Sequence, residues 1–135
     1  MRRVATLAVS TVFLGVSLAA CSEDTETPAI CGSVNSLEDS VQDVKDIDLT
    51  ASGSLDEVKA SLTEVGNALA DVKSEAKSEF SDPLTTVETS FTALTSSINA
   101  ATADASASTL SAVGTALTSF GTAVESLVND VKATC

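Results

Sequence analysis

The amino-acid sequence predicts an all-α fold, and three observations carry that prediction. From Val34 onward the apolar residues recur at steps of three and four, a helical heptad, and no stretch alternates with the period of a strand. Two runs of Gly and small polar residues, 49–54 (LTASGS) and 102–108 (TADASAS), interrupt the pattern and read as turns. The 135 residues include four Phe and no Trp, Tyr or His. A chain this poor in aromatics must build its core from aliphatic seams between helices rather than from large rings.

Residues 22–30 (SEDTETPAI) have no apolar period, and Pro28 disfavours a helix through them, so they read as an acidic tether spanning ~30 Å when extended. Thr25 and Thr27 beside Pro28 are candidates for O-linked sugar, against the plainer reading of a solvated spacer; no Asn-X-Ser/Thr sequon occurs. Val34, Leu37, Val41 and Val44 predict a first helix over 32–47. Ser54-Leu55-Asp56-Glu57 then reads as a capping box, with Ser54 at the N-cap and Glu57 three positions on. The next stripe is the cleanest: Leu55, Val58, Leu62, Val65, Leu69 and Val72, continuing through Ala76 and Phe80 to Leu84, Val87, Phe91, Leu94, Ile98 and Ala101. Leu110, Val113, Leu117, Phe120, Val124, Leu127 and Val131 predict a last helix ending at Cys135. Gly66, Gly114 and Gly121 each follow a core position. With Ala112, Ala116 and Ala123 they suggest close helix approach, either within the chain or on a self-association face.

The N-terminus has the three parts of an export signal. Arg2 and Arg3 form a basic start, residues 4–20 are uncharged and largely apolar, and small residues precede a cysteine. Leu18-Ala19-Ala20-Cys21 resembles the lipobox of bacterial lipoproteins. The resemblance implies that the Cys21 thiol receives diacylglycerol, that a peptidase cuts between Ala20 and Cys21, and that acyl chains such as palmitate hold the product on the extracytoplasmic face of the cell membrane. It covers the leader alone. The alternatives are a plain membrane anchor, or a cleaved secretion signal with a chance cysteine. The Ala, Thr, Ser, Val and Asp bias of the remainder is similar to that of small actinobacterial lipoproteins, a likeness of composition only. The expected organisation is a signal peptide at 1–20, the tether at 21–30 and a helical domain at 31–135.

With Cys21 assigned to lipid by that resemblance, Cys31 and Cys135 remain as an even pair in an exported chain, where a disulfide is the default. Free thiols or an intermolecular bridge are the alternatives. Closure of this pair bears on Pro83, which either starts a new helix after an Asp82 N-cap or kinks a continuous one. With four helices, 1.5 Å per residue leaves the cysteines about 28 Å apart along the axis, whereas one helix over 55–101, about 70 Å long, brings them level. The stripe also passes 76–84 as a stutter, without a Gly to make a tight turn. The sequence therefore predicts three helices, as elongated antiparallel hairpins on one long central helix kinked at Pro83. The alternative is an up-down-up-down four-helix bundle. In the rod, Cys31 lies near the middle and the two hairpin tips lie at opposite ends.

Loss of residues 1–20 would remove both Arg and leave five Lys against 19 acids, a balance of −14 that argues against nucleic acid and anionic lipid as partners. Glu38, Asp39, Asp43, Asp46 and Asp48, joined by Asp56 and Glu57, form the densest acidic group, but EF-hand spacing is missing, so a solvated face is expected and no metal. Two thiols without His make half a zinc site. Without a His base, a Gly-x-Ser-x-Gly elbow or a phosphate loop, neither an enzyme nor a cofactor is expected. Two function classes remain: a lipid-anchored interaction or structural module meeting a protein partner or its own copies, and a carrier parting its helices around a lipid or other apolar ligand.

Overall fold

The structure, a computed structural model, describes residues 28–135. Four helices fill that span: α1 (Ala29–Asp46), α2 (Ser54–Glu75), α3 (Ser81–Ala103) and α4 (Ala107–Lys132), with one 3-10 turn at Ser78–Phe80. There is no strand among the described residues. Each helix turns its heptad stripe inward. Leu37 on α1, Val65 on α2, Leu94 on α3 and Phe120 and Leu127 on α4 are sealed from solvent in one core. Full burial of such a side chain contributes about 1.5–3 kcal/mol relative to leaving it exposed. That apolar face is what makes helices of this length stable.

Cross-helix contacts fix the directions. Between α1 and α4 with the short tail beyond it, Cys31 bonds to Cys135, Glu38 pairs with Lys132, and the stem of Lys45 lies over Gly121. Ascending numbers on one helix meet descending numbers on the other. On α2 and α3, Lys73 pairs with Glu88, and Gly66 faces the ring of Phe91. Both pairs are antiparallel, and Ser33 near the start of α1 donates to Glu75 at the end of α2, so α1 and α2 are antiparallel too and the chain runs up, down, up, down.

The expected long helix is therefore two helices, and the break does not fall at Pro83. α2 stops at Ala76, whose ψ of 135° and N–H bond to the Val72 carbonyl end the helical turn. Lys77 is also extended, with ψ of 164°. The chain then reverses through the 3-10 turn, closed by the Phe80 N–H donating to the Lys77 carbonyl. Two extended residues and a 3-10 turn do what a glycine was expected to do. Phe80 remains buried and Ala76 half-buried, so the stripe runs through the turn unbroken. Pro83 occupies the first turn of α3, whose N–H groups have no helical partner, so it neither breaks nor kinks the helix.

The same shift explains how the cysteines meet. Moving the break from Pro83 to Ala76 shortens one descending helix and lengthens the next ascending one, each by about 6 Å. With α1 and α4 at their observed lengths, the expected offset falls from about 28 Å to about 11 Å, within reach of the connecting segments. Cys31 and Cys135 form a disulfide with Cα atoms 6.3 Å apart.

Helix starts also differ from expectation. α1 begins at Ala29, with Pro28 at its N-cap, so the last two residues assigned to the tether are helical. The capping box at Ser54 is not formed. Gly53, at φ of 83°, is the N-cap, and the buried Ser54 hydroxyl instead donates to the Leu49 carbonyl. A capping box is found at α4, where Ser106 accepts from the Thr109 N–H and the Thr109 hydroxyl accepts from the Ser106 N–H.

Candidate interaction surface

Up-down-up-down topology gives the bundle two chemically different ends. At one end lie the start of α1, the connection 76–80 and the C-terminus, stapled by the disulfide. An apolar recess of about 290 Å³ sits there, lined by Pro28, Ala29, Ile30, Phe80 and Thr134, with Glu75, Lys77 and Glu79 at its edge. The tip of the α1–α2 hairpin and the tip of the α3–α4 hairpin lie together at the other end.

Between the two tips is a cleft of about 370 Å³. Leu49, Gly53, Ser54 and Leu55 form one wall, and Ala101, Thr102, Ala105 and Leu110 form the other. Its shape is held locally. Ser54 ties the start of α2 to the Leu49 carbonyl, and the Thr50 hydroxyl and N–H both donate to one carboxylate oxygen of Asp48. Those two bonds, the hydroxyl first and the N–H second, hold the Asp48 carboxyl below its ordinary value. Across the cleft, the Thr109 hydroxyl donates to the Asp104 carbonyl at 2.5 Å and fixes the shorter tip.

The leucines distinguish this end from the rest of the molecule. Of the ten leucines among the described residues, seven are buried; the three that are not, Leu49, Leu55 and Leu110, all line this cleft. The segments that build it, residues 46–57 and 101–110, contain five acids (Asp46, Asp48, Asp56, Glu57, Asp104) and no Lys or Arg. An incompletely covered apolar floor with an anionic rim is the most distinctive surface on the bundle.

The chain matches no protein-family model, no curated protein and no solved structure.

The expected site residues fall into three sets. Cys21 and the residues before it lie outside the described residues. Cys31 and Cys135, 104 positions apart in sequence, are brought together. The acidic group spreads along α1 and over its tip: Asp39, Asp43, Asp46, Asp48, Asp56 and Glu57 are exposed, and Glu38 pairs with Lys132. Among the described residues no three acidic, Cys or His side chains converge as metal ligands, and no helix is long and apolar enough to cross a membrane. The heptad placed Leu55 and Leu110 in the core. It could not show that the two hairpin tips lie side by side, because that depends on the number of helices.

Proposed function

We propose that the chain is a lipid-anchored protein of the cell envelope, on the extracytoplasmic face, whose helical bundle is a non-enzymatic interaction or structural module. The lipobox-like Leu18-Ala19-Ala20-Cys21 carries the anchor. The bundle gives that anchor a direction. Pro28, seven residues beyond Cys21, sits at the disulfide end, so a lipid on Cys21 would hold the bundle within ~25 Å of the membrane by that end. The two tips then face away, about one 39 Å helix length farther out. A rod with Cys31 near its middle would be held at its waist; the bundle instead would stand on one end and present both tips together.

The test is an intact-mass measurement on the membrane-extracted protein, with a Cys21→Ser variant beside it. A chain beginning at Cys21 with a diacylglyceryl mass increment, and loss of membrane association in the variant, are expected. An unmodified Cys21, or membrane retention of the variant, would sink the anchor. A second reading, the carrier, draws on a groove of about 300 Å³ along α2 and α3, floored by the half-exposed Phe91 beside Leu62 and Ile98. Native mass spectrometry showing reproducible co-purifying lipid would favour it.

A further inference from the structure

The cleft between the two tips combines an apolar floor with an anionic rim, and we infer that it is a docking site for a protein segment carrying an apolar side chain flanked by cationic ones. This rests on the reading of the chain as an interaction module, and is independent of whether Cys21 carries lipid.

Two observations carry it. The first is the placement of the half-buried leucines. Leu37, Leu62, Leu69, Leu84, Leu94, Leu117 and Leu127 are buried, while Leu49, Leu55 and Leu110 converge from both hairpins on one cleft of about 370 Å³. Leucine surface left in one concave place, on a bundle that buries its other leucines, selects an apolar side chain as occupant. The second is charge. Asp48, Asp56 and Asp104 are exposed, Asp56 lining the cleft and the other two lying within one residue of lining positions. No cation occurs in either segment that builds the tips. A second copy would bring the same five acids against them, so self-association through this end is opposed by like charge. A cationic segment instead gains attraction on approach and buries its apolar residue on the leucines. The rim would set association rate and choice of partner, and the floor would set residence time.

The test uses the full chain in zwitterionic micelles, with leucine methyl resonances observed during titration with three short capped peptides: lysine–leucine–lysine, glutamate–leucine–glutamate and lysine–serine–lysine. The first should shift the methyls of Leu49, Leu55 and Leu110 saturably, and the other two should bind about tenfold more weakly or not at all. Substituting Asp56→Asn with Asp104→Asn should weaken the first peptide about tenfold and flatten its salt dependence, while Leu49→Ser should weaken it with the salt dependence kept. Both variants change exposed or half-exposed positions, and an unchanged helical circular dichroism spectrum verifies that they fold. Equal binding of the lysine–serine peptide, shifts centred outside the cleft, or no saturable binding by the first peptide would each overturn the inference. The intact mass at Cys21 is read separately, so failure of the cleft and failure of the anchor are distinct results.

Discussion

Phe120 is sealed from solvent and meets Phe91 with ring centroids 5.6 Å apart, tilted by 51°. Phe120 is the largest fully buried side chain among the described residues, and Phe120→Ala should cost about 3–5 kcal/mol in urea denaturation. The glycines sort differently from their shared heptad position. A methyl at Gly66 would sit 3.5 Å from the Phe91 ring, in ordinary contact, and one at Gly121 would press on the flexible stem of Lys45. Gly114 faces open space, so close helix approach does not account for it. Gly114→Ala should therefore stabilise by up to about 1 kcal/mol, read as a higher urea midpoint with unchanged slope. Asp48 supplies a pH prediction. Its carboxyl is held below its ordinary value, so the two bonds from Thr50 contribute fully above the unfolded value of about 3.9 and are lost as pH falls through the lower folded value. Carbon-detected NMR should find the Asp48 titration midpoint below the ordinary aspartate value of about 3.9. Thr50→Val, which removes the hydroxyl and keeps the N–H, should move it upward.

At the scale of elements, the link between α2 and α3 is the instructive case. Pro83 is the loudest signal in the middle of the sequence, yet the helix ends seven residues earlier, where Ala76 and Lys77 take extended conformations that any residue can adopt. Because Pro83 lies in the first turn of α3, Pro83→Ala should leave stability within about 1 kcal/mol of the parent, and the helical content by circular dichroism unchanged. The periodicity remained intact because Phe80 packs into the core from the 3-10 turn as it would have from a helix. A stripe of apolar residues reports which side chains are buried, and a turn that buries its own aromatic looks the same as a stutter.

The bundle as a whole is closed by a disulfide between residues 104 positions apart, at the end that also holds the α2–α3 connection. Replacing Cys31 and Cys135 together by Ser should cost about 4–5 kcal/mol on the chain-entropy argument, measured as a fall in the urea midpoint. The tips at the opposite end are joined to each other by packing alone, and their separation distinguishes the bundle from the rod. Spin labels at Ser52 and Ala105, which line the same cleft, should give a distance well under half of the ~70 Å that a continuous central helix would impose. A long distance would restore the rod and dissolve the cleft.

Much of this architecture was legible in the sequence for a local reason. Val34 through Val44, Leu55 through Val72 and Leu110 through Val131 announce helices because a 3.6-residue period puts their apolar groups on one face, and hydrophobic burial does not depend on what that face meets. Cys31 and Cys135 stood out by elimination once Cys21 was set aside. The reading of residues 1–20 as a signal peptide rests entirely on order and residue type, and those residues lie outside the described ones. What only the tertiary structure decided is which face packs against which, and therefore which ends coincide. Without aromatics of distinctive shape, the Val and Leu stripes are nearly interchangeable partners, and rod and bundle would bury them almost equally. Folding α3 back along α2 brings the two hairpin tips together, leaves Leu49 and Leu55 across a cleft from Leu110, and rims them with acids drawn from separate stretches of the chain. That surface exists only because the described residues fold as four helices.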